Sequence, residues 1–200
     1  IPKFERIPDI DLNASSAIPD QVQRPSLTGS PHDFTNPNYE DPDNKFLVGS
    51  TNVEKAFNFF LTPEGGSFTP AQACGILGNF WIESAANITG DLNTKATSAP
   101  PERSFGIAQW NSSSNAGYRY QNLVEFAAKK NLAWDSLYAQ LLFTVHELYE
   151  SKTYYRLNDL KRATTPEEAC TIFEDRFENP AEKGQPARRK AARDFFRTMV

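Results

Sequence analysis

The stretch Thr69-Pro70-Ala71-Gln72-Ala73-Cys74-Gly75-Ile76-Leu77-Gly78-Asn79-Phe80-Trp81-Ile82-Glu83-Ser84-Ala85 decides the fold of this chain. It reads as a helix with a marked start. Thr69 is placed to cap, Pro70 suits the first helical position, and Gln72 can reach back to close a capping box. Apolar residues then recur at helical spacing, at Ala73, Ile76 and Phe80. The next position on that stripe is Glu83, so a carboxylate stands where the pattern calls for a core residue. Burial disfavours the charged form of a carboxyl, which is how a proton donor stays loaded near neutral pH. Glu83 is therefore read as a catalytic general acid in the last turn of the helix, at the mouth of a cleft. The competing reading is structural, a Glu that hydrogen-bonds a neighbouring loop.

Two downstream features favour chemistry over structure. One is the polar run Asn87-Ile88-Thr89-Gly90-Asp91-Leu92-Asn93-Thr94, rich in carboxylate, amide and hydroxyl groups. The other is Ser104-Phe105-Gly106-Ile107-Ala108-Gln109-Trp110-Asn111, where small residues alternate with an amide and an aromatic. Together with Gly75-Ile76-Leu77-Gly78-Asn79 and Glu83-Ser84-Ala85, the segment Phe105 to Trp110 resembles the phage tail lysozyme family, whose lysozyme-like domain cuts bacterial peptidoglycan during infection. Trp134-Asp135-Ser136-Leu137, Gln140-Leu141-Leu142-Phe143, His146-Glu147-Leu148, Ala163 to Ala169, Phe173-Glu174 and Phe177-Glu178-Asn179-Pro180 extend the resemblance in colinear order over about residues 51 to 200. More loosely, a Glu-Ser at a helix end followed by Gly-x-x-Gln is similar to goose-type lysozymes and lytic transglycosylases.

Composition bounds the rest. With 200 residues and 39% hydrophobic content, the chain is expected to form one globular domain plus a tail. A net charge of −4 argues against a general nucleic-acid binder. No run approaches the roughly 20 apolar residues that span a membrane. The chain begins at Ile1 and shows no secretory signal. It is read as a processed product or a piece of a longer protein, either released by holin-assisted lysis or carried in the virion. Cys74 and Cys170 each sit among small residues on expected helices. Two buried free thiols are the favoured reading, with a disulfide clamp as the alternative. Two Cys and two distant His have no metal-ligand spacing, so no metal is expected, and the glycan hydrolysis that the resemblance implies needs no cofactor.

Residues 1–50 hold seven of the fourteen prolines, and the large apolar residues from Phe4 to Tyr39 are isolated. They are read as an extended proline-rich arm that docks on the domain or on a partner. Residues 51–200 are expected to be mainly helical, with a small irregular or β segment over 86–119. Thr51-Asn52-Val53-Glu54 is a second capping box, opening a helix to about Leu61. Further helices are expected over Tyr120–Asn131, Ser136–Glu150 (capped by Asp135), Tyr154–Arg162, from Thr165-Pro166 to Pro180, and over Pro186–Val200.

Glycosidic cleavage needs a proton on the leaving oxygen and a group to meet the oxocarbenium-like centre. Glu83 supplies the first. Asp91, eight residues on and past the Gly90 turn, is the candidate for the second, with a turn or capping role as the even alternative. The resemblance nominates Thr94 or Thr97 to hold a water, and Gln109 to contact the sugar or its N-acetyl group. Ser104 is a candidate support for Glu83, and Trp110 with Phe105 a candidate sugar platform. His146 and Glu147 are read as a structural pair. The basic residues Arg188, Arg189, Lys190, Arg193 and Arg197 are read as a solvated helix face, some of them paired with Glu174, Glu178 or Glu182. The resemblance implies an N-acetylmuramidase that acts on bacterial peptidoglycan, located in the phage tail or released to the host periplasm or cell wall. Partners in the virion would be held through residues 1–50. The rivals are a lytic transglycosylase using the same Glu and a structural tail component whose lysozyme fold is not catalytic.

Overall fold

Three threonines start helices in this protein, and two are followed by a proline in the first turn. In the computed structural model, which describes residues 44–100, 103–116, 118–149, 154–178 and 184–200, Thr51 opens α1 (Asn52–Leu61) with a complete capping box. Thr69 opens α2 (Pro70–Glu83) the same way, its hydroxyl accepting from Gln72 N while the Gln72 amide accepts from Thr69 N. Thr165 opens α7 (Pro166–Phe173). The three starts and the spans of α1 and α2 agree with the expected ones because capping chemistry is local to a few residues, whereas α7 ends at Phe173, short of the expected run to Pro180.

Along the chain, α2 is followed by a short helix α3 (Ala86–Thr89), a two-residue hairpin β1 (Ser104–Phe105) and β2 (Trp110–Asn111), and then α4 (Arg119–Lys129), α5 (Leu137–Tyr149) and α6 (Tyr154–Arg162). After α7 the chain widens into a π-helical turn over Glu174–Glu178, and α8 (Pro186–Met199) closes the domain. The sheet is antiparallel, pairing Ser104 with Asn111 and Phe105 with Trp110. The protein is thus mainly helical with a small β segment. Among the described residues no helix is long and apolar enough to cross a membrane. Most of the arm, residues 1–43, lies outside the described residues, as do Glu182 and the expected helix stop at Pro180. Residues 44–50, read as the end of that arm, lie on the helical body. Asn44 Oδ1 accepts from Tyr138 N at the start of α5, and Val48 O accepts from the Asn58 amide on α1.

The central helix is α2. Every residue from Ala71 to Phe80 is buried, as expected for a helix enclosed on all sides rather than on one face. Its main neighbours are α7 and α8. Two glycines permit this. A Cβ on Gly75 would lie 2.4 Å from the Ala169 Cβ on α7, and one on Gly78 would lie 2.5 Å from the Arg188 carbonyl oxygen on α8. Both are closer than atoms can approach, so each neighbouring helix runs where only a glycine leaves room. Phe60, Phe80, Phe173 and Phe177 fill the core between these helices.

Two smaller expectations are corrected. The α5 N-terminus is served by Ser136, whose hydroxyl accepts from Ala139 N at 3.2 Å, while Asp135 pairs with Lys95 at 3.5 Å. His146 and Glu147 do not form a pair. Adjacent helical residues point apart, and here the His146 ring stacks on Phe126 while Glu147 turns to Arg119. Cys74 and Cys170 are free and buried, and burial pushes both thiols up to about 12.

Candidate functional site

Glu83 is the last residue of α2. Ser84 and then Ala85, with a left-handed φ of 55°, turn the chain away immediately after it. The Glu83 side chain is 18% exposed, so it is largely covered yet reaches solvent. Its partner is Arg188 from α8, whose Nη2 donates to Glu83 Oε1 at 2.7 Å. Arg188 itself is 3% exposed. Its Nη1 donates to Asn79 Oδ1, one turn back on α2, at 3.3 Å, and its Nε lies 3.5 Å from Glu174 Oε1 on the π turn. The Asn79 amide in turn donates to the carbonyls of Gly75 and Cys170. One guanidinium fork therefore joins α2, α8 and the π turn. A Lys, with a single point of charge, has no such reach in three directions.

A second, part-buried arginine holds another carboxylate of the helical body. Arg119, at the start of α4, grips Glu147 on α5 with Nε and Nη2, both at 2.7 Å. Glu147 Oε2 also accepts from the Trp110 indole at 2.7 Å. The Arg119 guanidinium lies 4.7 Å from the Phe177 ring centre, over its face. Burial acts to lower the Arg119 group, but Glu147, then Glu178 and Glu83, outweigh it and hold it above its usual range. Glu178, at the end of the π turn, completes the cluster. Burial pushes its carboxyl well above the ordinary range, and the nearby Glu83 charge adds to this, against the pull of Arg119 and Arg188. Four carboxyls (Glu83, Glu147, Glu174, Glu178) thus share two guanidiniums.

The other expected site residues have different placements. Both oxygens of Asp91 are engaged at the start of α1, accepting from Asn52 N at 2.7 Å and Val53 N at 3.0 Å. This is the capping alternative, supplied from a distant loop and favoured by the positive end of the helix dipole. Gln109, at a left-handed φ of 46°, spends its amide on the carbonyls of Ala96 and Gly106. Ser104 accepts from Asn111 across the hairpin. The Thr94 carbonyl accepts from the Gln140 amide, and the Thr97 hydroxyl donates to Lys95 O. Trp110 is corrected: it is fully buried, so its ring has no open face for a sugar. Phe105 stacks on Tyr120 with centroids 4.0 Å apart.

The partners of Glu83 come from elements far from it in sequence. Arg188, expected on a solvated face, is buried. The signal was present: Arg188, Ala192, Phe195 and Met199 follow helical spacing, so a cation interrupts an apolar stripe as Glu83 does on α2. Arg119 stands in the first turn of its helix, where the dipole disfavours a cation, and a distant carboxylate compensates for that. Gln140 organises the loop above α5. It accepts from Ile107 N and donates to the carbonyls of Thr94 and Trp134.

Two comparisons with known proteins bear on this site. Residues 51–199 match the family model described as phage tail lysozyme. A curated relative, "Morphogenesis protein 1" of Bacillus phage B103, is 28% identical over 159 residues, which is 76% of this chain and 40% of that protein. The present chain therefore spans well under half the length of that relative. With Glu83 at the end of the central helix and the family match running from the Thr51 cap to Met199, the chain belongs to the phage tail lysozyme family.

Proposed function

We propose that this protein cleaves the glycan strand of bacterial peptidoglycan at the bond after N-acetylmuramic acid, with Glu83 as the proton donor to the leaving oxygen. The observation that carries this reading is the position of Glu83: a mostly covered carboxyl that reaches solvent at a helix end and is oriented by a buried arginine. Such a group is fixed in direction and accessible to a sugar, as general acid catalysis requires. Hydrolysis completes the reaction when a water meets the oxocarbenium-like centre. The family and the phage relative support a role in a virion, at the tail, where cutting the host wall serves entry.

Asp91 favours a second reading of the product. A carboxylate that caps α1 with both oxygens is not disposed to meet the sugar ring. With one carboxyl, the sugar's own 6-hydroxyl attacks and a 1,6-anhydro end results. Purified glycan strands, digested and weighed by mass spectrometry, separate the two, since the anhydro end is lighter by one water. Glu83→Gln tests the common element. Turnover is expected to fall by about 10²–10⁴-fold, the typical share of general acid catalysis. A Glu83→Gln protein that clears cell walls at the native rate would leave only a structural role for the fold.

A further inference from the structure

We propose that Ile88 is a substrate-contacting residue, an apolar grip on the glycan strand carried by the short helix that leaves Glu83. The inference rests on the reading of Glu83 as the acid, and it adds a contact that neither the fold nor the reaction scheme above requires.

Ile88 is 81% exposed, the highest value for any large apolar side chain among the described residues. Single exposed apolar residues are common on protein surfaces. Ile88 is set apart by its mount. The helix that carries it, α3, is bounded by left-handed residues at both ends, Ala85 at a φ of 55° and Gly90 at a φ of 90°. The first is unfavourable for a residue with a Cβ and persists only where the surroundings enforce it, a pattern that gathers at functional sites. The enforcement is visible. Ala86 and Leu92, before and after the exposed turn, are both buried in the core. Gly90 N donates to the Ala86 carbonyl, and the Thr89 hydroxyl to the Asp91 carbonyl. The Asp91 carboxylate accepts from Asn52 N, Val53 N and Leu92 N, and the Asn52 amide donates to Leu92 O. A loose loop lets an isoleucine fold back onto the body. This braced turn holds it in water, where its apolar surface brings the fold no gain.

The position of the turn supplies the occupant. Ile88 is five residues beyond Glu83. Five residues span at most about 16–18 Å when fully extended, and here they reverse at Ala85 and wind at once into α3, with Ile88 N and Thr89 N both donating to the Ala85 carbonyl. A glycan strand is a linear polymer that continues on both sides of the bond being cut. Seated with its leaving oxygen at Glu83, it passes the end of α2 with further sugar units within reach of α3. The space beside the turn is open, since a Cβ on Gly90 would meet no atom within 4 Å. Between its hydroxyls the strand offers C–H ring faces and N-acetyl methyl groups. Packing a fixed, branched aliphatic side chain against these removes apolar surface of both partners from water.

The test compares whole-chain Ile88→Asn, Ile88→Leu and Val48→Asn with the native protein on purified glycan strands freed of stem peptides. Val48 is the control, a second exposed apolar side chain, on the segment before α1. Thermal melting should not separate the variants from the native protein. Ile88→Asn is expected to raise KM by about 4–12-fold, as for losing half the burial of an isoleucine. The effect falls on KM more than on kcat, because the contact is made alike in the ground and transition states. Ile88→Leu should restore most of the loss, and Val48→Asn should keep the native KM. A native KM in Ile88→Asn, or an equal rise in Val48→Asn, overturns the proposal. Retention on immobilised strands, measured in the Glu83→Gln background, keeps this outcome apart from failure of the acid. If Glu83→Gln clears walls at the native rate, the reading of Glu83 falls, yet weaker retention on adding Ile88→Asn still upholds the contact. Equal retention with and without Ile88 overturns it.

Discussion

At the scale of single residues, Arg188 is the side chain with the most to lose. It is almost fully buried and faces Glu83, Asn79 and Glu174, the last of which is entirely shielded from water. Taking away one partner of a buried ion pair leaves the other charge uncompensated, at a cost of about 3–5 kcal/mol. Arg188→Met is therefore expected to lose stability on that scale in urea unfolding. Adding Glu174→Gln should recover part of it, because the stranded charge is then neutral. Arg188→Lys should recover little, because an ammonium cannot reproduce the fork. Glu178 has a different signature. Its proton is held more tightly in the folded chain, so its contribution is complete below the ordinary glutamate value of 4.5 and is lost as pH rises through the folded value. Glu178→Gln escapes that loss. Its melting temperature relative to the native protein should accordingly improve from about pH 4 to about pH 8, and a difference that does not change with pH would contradict the linkage.

At the scale of elements, helix starts are legible in the sequence while helix partners, and the π turn that ends α7, are not. Thr51, Thr69 and Thr165 announce their helices within four residues, and α6 runs from Tyr154 to Arg162 as its sequence predicts. What the helices do to each other depends on contacts far apart in sequence. Gly75 and Gly78 look like weak points in a helix, since glycine costs up to about 1 kcal/mol against alanine. In the fold they are the crossing points for α7 and α8. The gain from restricting the unfolded chain is thus not available to Gly75→Ala or Gly78→Ala. Each new methyl would meet backbone atoms, at 2.6 Å from Cys170 N in the first case and 2.5 Å from Arg188 O in the second. Overpacking of this kind costs about 1–3 kcal/mol. The two variants should differ in activity. Gly78→Ala displaces the helix that carries Arg188 and is expected to lower glycan turnover more than Gly75→Ala does at equal loss of stability. Equal turnover in the two would separate α8 placement from catalysis. The same long-range logic explains the loop over 86–119. Its lack of periodicity was visible, but its organiser, Gln140, belongs to α5 and reaches back to Thr94 and Ile107.

At the scale of the molecule, the proline count drew the boundary between arm and domain at residue 50, and the structure shows how that differs from a boundary set by contacts. Residues 44–50 contain no proline, and they attach to two helices at once. Asn44 Oδ1 accepts from Tyr138 N, which gives α5 a cap from outside its own sequence, in addition to Ser136. Leu47 packs against the core and Val48 O receives the Asn58 amide. A helix cap is worth about 1 kcal/mol, and the part-buried leucine adds about as much again. A chain that begins at residue 51 keeps the whole family match, the Thr51 capping box and every residue of the charge cluster. It should nevertheless unfold more easily than one that begins at residue 44, by about 2 kcal/mol, since both anchors go. Asn44→Ala in the longer chain should account for about half of that difference, because it removes the cap and leaves Leu47 in place. Urea melts of the three proteins decide the matter. If the chains starting at 44 and 51 unfold together, these seven residues are a passenger on the domain and the boundary drawn from proline content is the physical one.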